Sequence, residues 1–229
     1  MKTPTIDNGS KQSLAETAYR QIYRKIMTLE YEPGQRLEEK HLVEALGIGR
    51  TPVREALLRL AADFMVESQP NKGAIVRPIT LQNTKAAFTA LRDMEQGVVE
   101  LAVRQDPGEY LEKMKEANNS VRSAIKNRDV LHLVEANSLF HEYLSKCSRN
   151  EYLILGLHKV RCETNRLAYL SFSNQIDPLK SLKQHYNSVV DQHLQIIECI
   201  RTRKEARLKK ILYEHTQAFQ SRIILYMAS

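Results

Sequence analysis

A chain of 229 residues, 42% hydrophobic and 27% charged, has room for one large folded body or two modest ones and is too apolar for wholesale disorder. It lacks an apolar run of the roughly 18 residues a membrane span needs, and its first dozen residues, MKTPTIDNGSKQ, hold no apolar signal core, so the expected setting is the cytoplasm with no membrane partner. Thirty-four basic against 27 acidic residues, net +7, favour a polyanionic partner, while three cysteines without CxxC spacing argue against a disulfide framework or zinc knuckle.

Glycine and proline cluster between residues 33 and 78, and long helical patterns follow. The composition predicts a flexible tail over 1–13, a small mixed body over 14–79 and an all-helical body over 82–229. In the first body Ala15 to Leu29 carries the helical stripe Ala18, Ile22 and Ile26, and Glu32-Pro33-Gly34-Gln35 reads as a turn. Leu37 to Leu46 reads as a second helix burying Leu37, Leu42, Ala45 and Leu46. Only Gly47-Ile48-Gly49 separates it from a third, Arg50 to Ala62, with Val53, Ala56, Leu57 and Leu60 inward. Two helices joined by so short a glycine-bearing turn cross steeply, as in a helix-turn-helix. Met65 to Ser68, then Gln69 to Gly73, then Ala74 to Arg77 reads as strand, turn and strand, which makes a wing. Beyond Thr80, a candidate helix cap, breakers at Asp106-Pro107-Gly108, Asn127 to Asp129, Ser148 to Asn150, Asp177-Pro178 and Thr202 to Lys204 divide the remainder into six helices.

With the apolar positions of the third helix turned inward, Arg50 and Arg54 share its outer face near the N-terminus, where a recognition helix meets base edges and arginine can grip guanine with both prongs. The plainer alternative pairs Arg54 with a carboxylate of the preceding helix. The string PGQRLEEKHLVEALGIGRTPVREALLRLAADFMVES, followed by PNKGAIV, resembles the winged-helix domain of GntR-type bacterial transcription regulators. The resemblance implies DNA contacts from Arg36, Lys40, Arg50, Thr51 and Arg54, and from the wing tip at Asn71, Lys72 and Gly73. Two positions depart from the family pattern: Gly49 replaces the usual serine or threonine before the arginine, and Phe64 the usual glycine after the recognition helix.

Three later helices each aim one histidine along an apolar stripe. His141 follows Leu133 and Phe140, with Asn137 one turn before it; His193 aligns with Val189, Ile196 and Ile200; His215 aligns with Leu208, Ile211 and Leu212. A lone buried histidine is usually a hydrogen-bonded core residue, but three that converge can share a metal. Arg92 lies with Phe88, Leu91 and Val98, so it either forms a structural ion pair with Glu95 or binds an effector carboxylate. His132, His158 and His185 are expected at the surface. LRDME around Arg92, NSLFHEYLSKCSRNEYL around His141, and DQH and YEH at His193 and His215 resemble the FCD effector-binding domain of the FadR subgroup of GntR regulators. That resemblance implies a divalent transition metal, zinc or nickel, on Asn137, His141, His193 and His215, with Asn137 standing where metal-binding members carry aspartate. The sum is a mainly α protein, a winged helix-turn-helix followed by a six-helix bundle, acting as a homodimeric repressor. It would bind a palindromic double-stranded DNA operator and respond to a small carboxylate. The alternatives are the same regulator with a metal-free pocket for a larger acyl ligand, and a helical metal-dependent enzyme, which the absence of HExxH and nucleophile-elbow motifs disfavours.

Overall fold

Ser13, extended and with its hydroxyl accepting from the Glu16 amide, opens the first helix, α1 (Leu14–Met27), of the computed structural model, which describes residues 13–69, 73–174, 176 and 180–228. β1 (Arg36–Leu37), α2 (Glu39–Leu46), α3 (Arg50–Ala62), β2 (Val66–Gln69) and β3 (Gly73–Val76) follow. Ala18, Ile22 and Ile26 of α1 pack on Val53, Ala56 and Leu60 of α3, and all six are fully buried. Gly47 ends α2 in the left-handed region, φ 63°, which lets the chain turn at once into α3.

Leu37 corrects the expected helix boundary. It belongs to β1, which pairs antiparallel with β3 (Arg36 with Ile75, Leu37 with Ala74) and completes a sheet of order β1-β3-β2. One apolar residue between Arg36 and Glu38 satisfies a strand as well as the first turn of a helix, and pairing with β3 decides the matter by satisfying backbone groups. The crossing is close: a Cβ on Gly73, at φ +88°, would lie 2.2 Å from the Leu37 carbonyl oxygen. Phe64 does what glycine does in the family. It takes φ 58°, the Met65 amide reaches back to the Leu60 carbonyl at 2.9 Å, and the Arg77 guanidinium sits 5.0 Å from the centre of its ring. The left-handed backbone costs about 1–2 kcal/mol, and the cation–ring contact offsets part of it.

The remaining described residues form α4 (Leu81–Ala102), α5 (Tyr110–Asn127), α6 (Val130–Lys146), α7 (Glu151–Ser173), α8 (Leu182–Arg201) and α9 (Glu205–Ala228). Thr80, Asp129 and Asn150 cap their helices through side-chain oxygens, and Ser181 with Gln184 closes a capping box on α8. The bundle core holds Phe88, Val99, Phe140, Leu144, Ile196 and Leu208. α7 runs through the middle of the molecule. Leu157 and Leu167 enter the bundle core, Phe172 joins a smaller cluster with Val134 and Val189, and Cys162 packs into the core of the winged part. No helix among the described residues is long and apolar enough to cross a membrane.

Candidate functional site

On the winged part, α2 and the start of α3 hold the DNA-contact candidates in one exposed recess lined by Arg36, Glu38, Glu39, Lys40, Arg50, Arg54 and Gly73. One carboxylate organises it. Glu39 accepts from Nε of Arg50 at 2.9 Å and from Nε of Arg54 at 2.8 Å, and these two bonds, Arg54's first, hold its carboxyl below the usual range. Both arginines stay more than half exposed, so the pairing is weak and exchangeable, worth about 0–1 kcal/mol each. Lys40 stands 4.0 Å from Glu44 and is nearly free in solvent, and Thr51 is exposed beside Arg50. Gly73 lines the recess, whereas Asn71 and Lys72 lie outside the described residues.

In the helical part, α6, α8 and α9 bring His141, His193 and His215 together with ring centres 5.2 to 5.3 Å apart. One donor nitrogen from each lies within 4.8 Å of the others, and Nε2 of His141 and of His215 are 3.3 Å apart. His193 donates from Nδ1 to Asn118 Oδ1 at 3.0 Å, and His215 from Nδ1 to Gln192 Oε1 at 2.8 Å. Those bonds fix the tautomers and leave each Nε2 as a lone pair. Asn137 Oδ1 and His193 Nε2 are buried with no partner among the described residues. Asn137, His141 and His215 border a cavity of about 70 Å³ to which α7 contributes Arg161 and Thr164, α8 contributes His185 and Gln192, and Phe172 and Phe219 give apolar walls.

Two expectations fail here. Arg92 does not line the cavity; it sits half-buried at the edge of the α4 stripe and donates to Gln220 Oε1 at 3.4 Å. Glu95, at the centre of that stripe, pairs instead with Arg161 and accepts from Thr216 Oγ1 at 2.8 Å. His185 is likewise no surface residue. It is buried, faces the cavity and lies 3.5 Å from the Ser171 hydroxyl, whereas His132 and His158 are exposed as expected.

The family model described as "Bacterial regulatory proteins, gntR family" matches residues 14–76, and the model of the FCD domain matches residues 86–218. The chain belongs to the GntR family, with an FCD domain. The HTH-type transcriptional repressor RspR of Escherichia coli (strain K12) is 22% identical over 90% of this chain and 87% of its own length. The Nta operon transcriptional regulator of Aminobacter aminovorans is 27% identical over 85% of this chain and 87% of its own. Among solved structures, E. coli McbR/YncC shares the fold at TM-score 0.77 and 20% identity, covering 94% of this chain and 98% of that one. This GntR protein is thus a DNA-binding transcription regulator.

The regulator's histidine cluster is chemically prepared for a cation. Burial, reinforced by the Arg161 charge and the neighbouring imidazoles, holds His141 and His193 well below the ordinary histidine range, and burial beside Arg161 takes His215 to about 4. All three are therefore neutral near pH 7, the form that ligates metal. The residues fit the ion the family implies: three imidazole nitrogens converge, the unpartnered Asn137 amide oxygen borders the same cavity as His141 and His215, and the Asn118 and Gln192 amides behind two of the rings set their orientation. With asparagine in place of aspartate this donor set is neutral, so the full charge of a divalent ion stays uncompensated. Burial raises the Glu95 carboxyl against the opposing pull of Arg161, and Arg161 Nε has no partner among the described residues.

Proposed function

We propose that this regulator is a homodimeric repressor whose winged part, residues 14–79, binds a palindromic operator and whose helical part, residues 82–229, senses a small organic anion in company with a zinc or nickel ion. Asn137, His141, His193 and His215 would hold the ion, which supplies a Lewis-acidic centre for one ligand oxygen. The observation that carries this reading is the meeting of three imidazoles, the Nε2 of His193 among them buried and unpartnered, beside a small cavity that the unpartnered Asn137 amide oxygen and the Arg161 guanidinium border. Arg161 binds an anion through its planar fork and its uncommitted Nε, and Glu95 competes with that anion for the same charge. Arg161, Thr164, Gln192 and the imidazoles on the cavity's lining suit a compact hydroxy, keto or sugar acid, which favours this reading over a pocket for fatty-acyl ligands. Dimerisation supplies the discrimination that one recognition helix lacks, and Arg36, Lys40, Arg50, Thr51 and Arg54, with the wing residues Asn71, Lys72 and Gly73, would make the DNA contacts. The repressor sense accords with the name of the E. coli relative.

Calorimetric titration of a panel of small carboxylates into chelated and zinc-loaded protein tests the reading. Binding should tighten about tenfold or more with metal and weaken comparably in Arg161→Lys, which keeps the charge and loses the fork. Anion binding indifferent to both would overturn it.

A further inference from the structure

The C-cap of α3 is Asp63, and its carboxylate points toward α7. Oδ2 accepts from the Tyr19 hydroxyl at 2.7 Å, which leaves Oδ1 facing Nε2 of His158 at 3.9 Å. One turn further along α7, the Cys162 sulfur lies 3.7 Å from that same Nε2, and the cysteine itself is buried in the core of the winged part. Carboxylate oxygen, imidazole nitrogen and sulfur all lie within 4.8 Å of one another. The sulfur and the imidazole are close enough to share a hydrogen bond, but the carboxylate and the imidazole are not, and their spacing leaves room for an ion. An oxygen and a nitrogen 3.9 Å apart do not share a hydrogen bond. Around tetrahedral zinc, with bonds of about 2.3 Å to sulfur and about 2.0–2.1 Å to nitrogen or oxygen, donors stand roughly 3.3 to 3.6 Å apart. The nitrogen–sulfur distance of 3.7 Å already suits such a site, the nitrogen–oxygen distance of 3.9 Å is about half an ångström too long for it, a gap that the His158 side chain, 55% exposed, can close, and oxygen and sulfur stand no more than 4.8 Å apart.

We propose that Asp63, His158 and Cys162 form a second divalent-metal site, of zinc type, at the junction between the DNA-reading part and the helical part. The site is separate from the histidine cluster: it shares none of that cluster's ligands, which come from α6, α8 and α9. A cavity of about 360 Å³, bordered by Tyr19, Tyr23, His158, Cys162 and Asn165, gives water access to the fourth coordination position. The Tyr19 hydroxyl orients the carboxylate from behind, as outer partners of metal ligands do. Binding exchanges the S–H bond of Cys162 for a sulfur–metal bond, releases that proton to solvent and changes no oxidation state. An ion here fastens the C-terminal end of the recognition helix to the helix that carries Arg161.

Cobalt(II) reports the site directly, because thiolate ligation produces an intense near-ultraviolet charge-transfer band that a ligand set of imidazoles and an amide cannot give. Full-length protein, reduced and stripped with chelator, should develop this band on titration with cobalt(II) and lose it on addition of zinc. The band should persist in His193→Ala, vanish in Cys162→Ala, and require at least about tenfold more cobalt in His158→Ala, whose exposed side chain can be removed without disturbing the core. No band in the wild-type protein at saturating cobalt, or a band that His158→Ala and Asp63→Asn leave unchanged, would overturn the proposal.

Discussion

Acid should weaken the metal-free regulator well before its carboxylates titrate, through imidazoles that the fold keeps neutral. Burial beside Arg161 holds His215 at about 4, and burial with Arg222 and Lys180 nearby holds His185 at about 3, whereas an unfolded histidine titrates near 6.5. The unfolded chain is then the better proton binder, so stability is fully present above about pH 6.5 and is lost as pH falls toward the folded values. Integrated from about pH 6.5 to about pH 5, one such imidazole removes roughly 1.5 kcal/mol. His215 and His185 together remove about 3 kcal/mol, and His141 and His193 add in the same direction. Glu95 acts oppositely: its raised carboxyl takes up a proton in the folded protein first, and so offsets part of the loss. Urea denaturation of chelated wild type and His215→Asn across this range isolates one ring from the rest. The wild type should lose roughly 1.5 kcal/mol more than the variant. Parallel pH profiles for the two proteins would refute the assignment of a suppressed imidazole at position 215.

Removing one member of the buried Glu95–Arg161 pair should be severe. Glu95→Gln should cost about 3–5 kcal/mol in urea denaturation, and the double variant Glu95→Gln/Arg161→Met should recover most of it; a single-variant loss below about 1 kcal/mol would contradict a buried charge pair. At the DNA face, Arg54→Ala should weaken operator binding by about 1–3 kcal/mol and relax base preference, while Glu39→Gln, which frees both arginines, should raise affinity for unrelated DNA. Gel-shift titrations with operator and scrambled duplexes read both effects, and unchanged operator affinity in Arg54→Ala would remove Arg54 from the reading surface.

Much of the architecture was written in periodicity. The stripes of α1 and α3 and the breakers between the six later helices locate those elements to within a few residues, because long amphipathic helices repeat their signal over several turns. β1 left no such trace, since two residues have no period. At the cavity, helical spacing turned His141, His193 and His215 inward, and the FCD resemblance implied that they meet. Arg161 did not, because the run Cys162 to Arg166 is buried at every position and shows no contrast between a wet and a dry face. His185 was within reach: it precedes Val189 by four residues and His193 by eight, on the stripe that exposed the latter. Arg92 and Glu95 were separable on the same ground, with Glu95 at the middle of the α4 stripe and Arg92 at its margin.

α7 gives Arg161 and Asn165 to both cavities, the one beside the histidines and the one against the winged part. Asn165 donates at 3.1 Å to the Tyr23 hydroxyl of α1 and also at 3.1 Å to Ser138 of α6. A substitution that reshapes ligand preference at these two positions therefore alters the seat of the DNA-reading part as well. Lineages retuning such a sensor gain freedom at Gln192 or Phe219, which border only the inner chamber, and forfeit it along the shared stretch of α7. New chemical tastes should accordingly arise from α8 and α9 before they arise from the helix that relays them.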